Sequence, residues 1–347
     1  MKIGFVVNEI ATEKANYSTT HMALAALKRE HDVHYIEVAD FVLDPDEMVH
    51  AHAYKPPNAD FKTASSFFKA MRSREAVRER ITVDTLDVLM LRNDPARVDA
   101  PHSWARTAAM NFGRLALRHG VIVLNDPDGL CQAANKMYLE QFPKSVRPRS
   151  TITRSPDDIK AFMRSEGGTI ILKPLAGSGG HNVFLIGKDE ANVNQIIEAV
   201  VSEDYALAQE YLPAASEGDI RLFMMNGQIF EHEGKAGAIH RRGATGDIRN
   251  NLTVGGRIAK VKLTDKLREI AETVRPRLVK DGMFLVGLDV VEDKLMEINV
   301  FSPGGLVGAS KLNKVSFIDL VIDALERKVA LFNHDPIRFT NAEIATM

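Results

Sequence analysis

Short apolar runs separated by amphipathic stretches recur through residues 1–125, and this alternation restricts the fold more than any other feature. KIGFVVN opens as one such run, and TTHMALAALKREH follows with Met22, Leu24 and Leu27 spaced for a helix packed on a sheet. DVHYIEV, TLDVLMLRND and VIVLND repeat the strand pattern, while SWARTAAMNFGRLALRHG supplies a helix ending at Gly120. Strands alternating with helices predict an α/β layer with a mainly parallel sheet. Phe41 to about Arg80 reads differently, because Pro45, Pro56 and Pro57 favour loops before a helical section in SSFFKAMRSREAVRER. Glu75 and Glu79 interrupt the field of Arg72, Arg74, Arg78 and Arg80, so this segment is expected to be a solvated helix face rather than a nucleic-acid contact.

Past Pro127 the pattern changes. DGLCQAANKMYLEQF has helical spacing, PKSVRPRS is a basic hinge, STITR is a short strand, and SPDDIKAFMRSEG is a helix with Ser155 as cap and Pro156 in its first turn. TIILKPL, AGSGG and HNVFLIG read as strand, turn and strand, followed by the helix ANVNQIIEAVVSE and the strand YALAQEYLP. Asn226 and Gly227 join two antiparallel strands in IRLFMMNGQIFEHE. GRIAKVKL, the helix TDKLREIAETVRPRLVKDG, the paired strands of FLVGLDVVEDKLMEINV and the helix SFIDLVIDALERKVAL complete the chain. The expected class is α/β plus α+β, with an N-terminal α/β domain at 1–125 and a larger region divided into lobes at 126–205 and 206–347.

Composition narrows the function. With 347 residues, 45% of them hydrophobic, and a formal net charge of -2, the chain has a core for roughly two domains and no global affinity for a phosphate backbone. Cys131 is the single cysteine, which excludes an internal disulfide and favours a reducing, cytoplasmic setting. It sits in a helical pattern without a histidine partner, as a packing residue does. MKIGFVVNEI is too short an apolar run for a signal peptide or membrane span. His50, His52, His232 and His240 lack acid or thiol partners at a zinc-site spacing.

Three groups of residues can carry chemistry. Lys173 precedes a loop containing Gly177, Ser178, Gly179 and Gly180, where a cation and unobstructed backbone donors come together. The loop matches neither a Walker loop nor a dinucleotide fingerprint, and locally it reads either as a structural turn or as a phosphate cover. Asp289 lies in one apolar strand, while Glu297 and Asn299 lie two apart in the next and face one side. Two acids and an amide on one hairpin surface suit magnesium, or else a solvated sheet face. Asp219 and Arg221 share a strand face; Arg241, Arg249 and Asn251 fall in the following glycine-containing segment, and Lys136 can reach an anion across a cleft.

The ordered set NDPDGLCQAANKMY, TIILKPLAGSGG, LAQEYLP, EGDIRLFMMNG, IRNNLTVGGR and FLVGLDVVEDKLMEINVFSP resembles the bacterial glutathione synthetases of the ATP-grasp superfamily, over nearly the whole chain. The resemblance implies a two-lobed ATP-grasp domain behind an α/β substrate domain. It matches Lys136 and Lys173 to lysines on ATP phosphates, the Gly177–Gly180 loop to the cover over them, and Gln209, Glu210, Tyr211 and Leu212 to the hinge at adenine. Asp289, Glu297 and Asn299 match magnesium ligands, with manganese as a possible substitute. Arg221 and Arg249 match basic residues of the active cleft, with Arg241 beside them despite extra residues in EHEGKAGAIHRR, and Asn251 stands as a substrate contact. Two departures fall on this pattern: Ala176 replaces an acid before the glycine loop, and Ser302, Pro303, Gly304 and Gly305 replace the Ser-Pro-Thr segment at the amino-acid acceptor end. The implied reaction joins a peptide-like carboxylate donor to a small amine through an acyl phosphate, in a homo-oligomer that binds neither nucleic acid nor membrane. Glutathione formation leads, with a related gamma-glutamyl or dipeptide donor as alternative and a noncatalytic nucleotide-binding regulator as the rival class.

Overall fold

Lys2–Val7 (β1) is buried at every position after Lys2, as a continuous apolar run is when a sheet is covered on both faces. The computed structural model describes residues 1–177, 180, 182–243, 256–336 and 338–347. β1 is flanked by Asp32–Leu43 (β2) and Val88–Leu91 (β5), both parallel to it, and Ile122–Leu124 (β6) continues the parallel set. Val49–Lys55 (β3) and Val77–Thr82 (β4) extend the other edge antiparallel, giving the order β4-β3-β2-β1-β5-β6. Ser18–Lys28 (α1), Ala64–Met71 (α2) and Ala105–Leu117 (α3) belong to this layer.

This corrects the reading of Phe41 to Arg80. VHAHAYK is a strand whose Val49, Ala51 and Ala53 point inward, a period of two concealed by the small apolar residues. The helical section ends at Met71, after a Thr63/Ser66 capping box starts it. Arg78 and Arg80 therefore stand on an edge strand, where Arg78 reaches Asp40 at 2.7 Å and Arg80 pairs with Asp44. The β2–β3 turn also gives His50 the acid neighbours that its spacing conceals: Asp44 and Asp46 each lie 3.5 Å from Nε2.

DGLCQAANKMYLEQF is likewise not one helix. Asp126 caps Pro127–Gln132 (α4), the helix ends there, and Asn135 caps a tighter 3-10 segment at Lys136–Gln141 by accepting from the Met137 amide at 2.9 Å. Then come Ser150–Thr153 (β7), Pro156–Ser165 (α5), Ile170–Pro174 (β8), Phe184–Ile186 (β9), Val193–Glu203 (α6) and Ala206–Glu210 (β10), whose strands form the antiparallel order β7-β10-β8-β9. Ser155 caps α5 and Pro156 opens it, as expected.

The last sheet is built from Asp219–Met225 (β11), Gln228–Ile229 (β12), Ala238–Arg242 (β15), Arg257–Lys260 (β16), Leu285–Val291 (β17) and Lys294–Asn299 (β18); Glu231–His232 (β13) and Lys235–Ala236 (β14) form a small hairpin beside it. The Asn226–Gly227 turn joins β11 to β12 as expected, with both residues at positive φ. Asp265–Lys280 (α7), Leu306–Asn313 (α8), Phe317–His334 (α9) and Asn341–Thr346 (α10) complete the fold. Apolar residues of the first and last sheets merge in shared cores: Val6, Leu89 and Leu91 belong with Leu222, Leu288 and Val290. The middle sheet keeps a smaller core of its own, centred on Ile159, Leu172, Ile186 and Ile197.

Candidate active site

Register places the charged residues of the last sheet face to face. Asp289 on β17 is opposite Glu297 on β18 and opposite Arg221 on β11, and Asp219 on β11 is opposite Arg241 on β15. Arg221 grips Asp289 in a bidentate pair with both contacts at 2.7 Å. Arg241 holds Asp219 at 2.7 and 2.8 Å and reaches the Asp289 Oδ2 oxygen at 2.8 Å. Burial pushes the Asp289 carboxyl up, but the two guanidiniums outweigh it and hold the group below the usual carboxylate range. Burial and the charge of Asp289 move Asp219 the other way, up to about 6, against the pull of Arg241. Asn299 donates to Asp289 Oδ2 at 3.2 Å and so joins this network.

Opposite lies a pair of amines. Lys173 on β8 donates to Gln209 Oε1 at 3.0 Å, and Lys136 donates to the carbonyls of Leu175, Ala176 and Gly177 at 3.2, 3.3 and 2.8 Å. Both lysines line one cavity with Glu297, Asn299, Asp94 and Ser302. Burial, and secondarily the neighbouring Lys136, pull the Lys173 amine down to about 8 against the opposing charges of Glu297 and Asp289; burial also lowers Lys136. Two amines whose cationic form burial disfavours, in a shared cavity, suit an anion, which offsets the cost of their charge. Behind Lys173, Gln209 Nε2 is buried without a hydrogen-bond partner among the described residues. A polyphosphate fits this amine-rich wall. Glu297 and Asn299 offer the hard oxygen donors that magnesium takes, while both oxygens of Asp289 are already engaged by arginine.

Glu210 is turned onto Arg149, accepting from its amide at 2.9 Å, while Tyr211 and Leu212 are partly exposed just past β10. Gly177 and Gly180 have φ of 103° and 78°, values only glycine adopts freely. Ser178, Gly179, Arg249 and Asn251 lie outside the described residues. Pro303 is buried against Gly287, and the Gly304 carbonyl accepts from Arg221 at 3.2 Å. Gly305, with φ of 106°, precedes α8. Asp94 was missed, although it follows the carboxyl end of parallel strand β5, where α/β sheets place ligands.

Residues 1–131 match the N-terminal domain model of prokaryotic glutathione synthetase, and residues 135–314 match the ATP-grasp domain model of the same family. The chain belongs to the prokaryotic glutathione synthetase family. Glutathione synthetase of Vibrio parahaemolyticus is 30% identical over 336 residues, covering 95% of this chain and 99% of the relative. That of Gloeobacter violaceus is 33% identical over 335 residues, with 94% and 96% covered. Among solved structures, D-cycloserine synthetase DcsG matches with a TM-score of 0.63 at 12% identity, covering 94% of this chain and 99% of that one. ATP-grasp ligase PsnB, complexed with a phosphomimetic variant of its minimal precursor, Mg and ADP, matches with a TM-score of 0.61 at 17% identity over 94% and 98%. Membership of the glutathione synthetase family, with its ATP-grasp domain, makes this chain an ATP-dependent carboxylate–amine ligase. Among the described residues no helix is long and apolar enough to cross a membrane.

Proposed function

We propose that this ligase forms glutathione from gamma-glutamylcysteine and glycine, with a related gamma-glutamyl donor or another small amine as the nearest alternative. The observation that carries this reading is the single cavity shared by Lys136, Lys173, Glu297, Asn299 and Ser302. In this reading residues 1–125 are the substrate domain, 126–205 the first ATP-grasp lobe and 206–347 the second, although β10, at Ala206–Glu210, pairs within the middle sheet and so belongs with the first lobe. Lys136 and Lys173 hold the ATP phosphates, the Gly177–Gly180 loop covers them, and the Gln209–Leu212 segment meets the adenine. Asp289, Glu297 and Asn299 hold magnesium, with manganese as a substitute, and Asp289 also accepts from Asn299. When bound, the cation supplies charge neutralisation at the phosphates.

A donor carboxylate oxygen attacks the γ-phosphorus, the bond to the β–γ bridging oxygen breaks, and ADP departs. The amine then adds to the carbonyl carbon of the acyl phosphate, the carbon–oxygen bond to phosphate breaks, and the amine gives up a proton. Arg221 and Arg241 face the charge that develops here, with Arg249 and Asn251 as further contacts, and Ser302–Gly305 form the acceptor end. Alignment of carboxylate and amine removes much of the encounter cost. The single cysteine supports a reducing, cytoplasmic setting for this homo-oligomer; the substrates are small molecules rather than nucleic acid or membrane.

Incubation with ATP, magnesium, gamma-glutamylcysteine, related carboxylates and a panel of amino acids tests the reading by mass detection of amide. Glutathione as the dominant product is expected. A dominant product from another pair selects the alternative, and nucleotide binding without any amide selects a noncatalytic regulator.

A further inference from the structure

The turn between β2 and β3 gathers three side chains that no step of the ligase reading uses. Asp44, Asp46 and His50 each bring a ligand atom within 4.8 Å of the other two. The hairpin sets this up: Leu43 at the end of β2 pairs with Val49 at the start of β3, so both acids lie in the connecting turn and His50 stands at the second position of β3. His50 Nε2 is enclosed without a hydrogen-bond partner, 3.5 Å from an oxygen of each carboxylate. None of the three residues lines the cavity shared by Lys136, Lys173 and Glu297.

Distance decides what this arrangement suits. A charge-assisted contact between nitrogen and a carboxylate closes to about 2.7–2.9 Å. Histidines elsewhere in the chain do close on a single acid, His31 on Glu326 at 2.8 Å and His102 on Asp99 at 2.6 Å. His50 instead stands equally far from two. Bonds of about 2.1 Å to a tetrahedral zinc ion place neighbouring ligand atoms about 3.4 Å apart, whereas an octahedral ion brings them to about 3.0 Å. The two 3.5 Å separations match the tetrahedral edge.

The outer atoms of the three side chains are held as those of metal ligands usually are. His50 Nδ1 meets Thr82 Oγ1 at 3.2 Å, and Asp46 Oδ1 accepts from the Met48 amide at 3.0 Å, which leaves Oδ2 toward His50. Arg80 pairs with the Asp44 oxygen that faces His50, and the second lone pair of that oxygen remains for a metal. Two carboxylates against one guanidinium leave negative charge at the turn, which a divalent cation offsets.

We propose that Asp44, Asp46 and His50 form a tetrahedral site for a divalent cation of the zinc class, with water in the fourth position, separate from the magnesium of the nucleotide cavity. One imidazole nitrogen with two carboxylate oxygens suits zinc, whereas magnesium takes oxygen ligands in octahedral geometry. The cation crosslinks the hairpin, joining the end of β2 to the start of β3. The site does not depend on the ligase reading.

The test titrates cobalt(II), a visible-absorbing stand-in for zinc, into the untagged full-length enzyme after chelator treatment and without nucleotide. Four-coordinate cobalt absorbs strongly in the visible, and six-coordinate cobalt weakly. The wild type is expected to take up one equivalent with the strong band, which zinc displaces and excess magnesium does not. His50→Gln is expected to abolish the band, and Asp46→Asn, whose amide oxygen still accepts from Met48, to weaken cobalt binding at least about 10-fold. Glu297→Gln, in the nucleotide cavity, is expected to leave band and affinity unchanged. A weak six-coordinate spectrum in the wild type, wild-type affinity in either turn variant, or loss of the band in Glu297→Gln overturns the site. The Asp46 side chain is 56% exposed, so its variant keeps the fold even where His50→Gln does not.

Discussion

Lys173 shows what burial costs a cation. Its amine titrates at about 8 where an unfolded lysine titrates near 10.5, so the folded state binds fewer protons between those values and stability rises with pH across that window. Below pH 8 the full penalty applies, at most on the order of 3 kcal/mol. Lys173→Met removes that penalty but orphans Gln209 Oε1, which costs about 1–2 kcal/mol. The expected outcome is a protein at pH 7 about 1–2 kcal/mol more stable to urea, with weaker nucleotide affinity; an unaltered affinity would place the lysine outside the site. Gly304 is the opposite case: a Cβ there meets nothing within 4 Å, whereas at Gly305 it meets Ile239 at 2.7 Å on a backbone of φ 106°. Gly304→Thr is therefore expected to leave the melting temperature within about 2 °C while changing the relative rates with different amine acceptors, measured across an amino-acid panel. Unchanged relative rates would remove Gly304 from the acceptor end.

Among the elements, the Asn226–Gly227 hairpin connects local turn chemistry to packing. Gly227 has φ of 70°, and a Cβ on it would lie 2.4 Å from Val279 on α7, so Gly227→Ala combines backbone strain with a clash. A loss of roughly 2–3 kcal/mol in urea unfolding is expected, and a loss below about 0.5 kcal/mol would contradict the packing of this turn on α7. The turn was legible in sequence because Asn-Gly between apolar runs has a local cause. So were the central strands, and so was the β17–β18 hairpin, whose two-residue spacing puts Glu297 and Asn299 on one face. VHAHAYK was not, because its inward residues include two alanines that carry little periodic signal. Nor was the break after α4, which depends on Asn135 capping a second, tighter turn. The engagement of Asp289 by two arginines depends on strands far apart in sequence, and spacing alone does not reveal which charges neutralise one another.

At the scale of the molecule, the first and last sheets share cores, whereas β7–β10 rest on a small separate one. A lobe with few buried apolar partners opens locally at lower free energy than the body it adjoins. Amide hydrogen exchange is expected to be faster in β8–β10 than in β1 or β17 and to slow in β8–β10 on addition of magnesium and a nonhydrolysable ATP analogue; protection confined to the first sheet would contradict nucleotide binding between the lobes. The cavity's amines lie with Glu297 and Asn299, and the proposed function gives them the transfer of phosphate to a carboxylate. The most direct measurement uses gamma-glutamylcysteine labelled with oxygen-18 in its reacting carboxylate, with ATP, magnesium and glycine. One labelled oxygen in inorganic phosphate for each amide formed is the expected result, because the acyl phosphate passes that oxygen to phosphate. Amide formed with unlabelled phosphate, or with AMP in place of ADP, would contradict it.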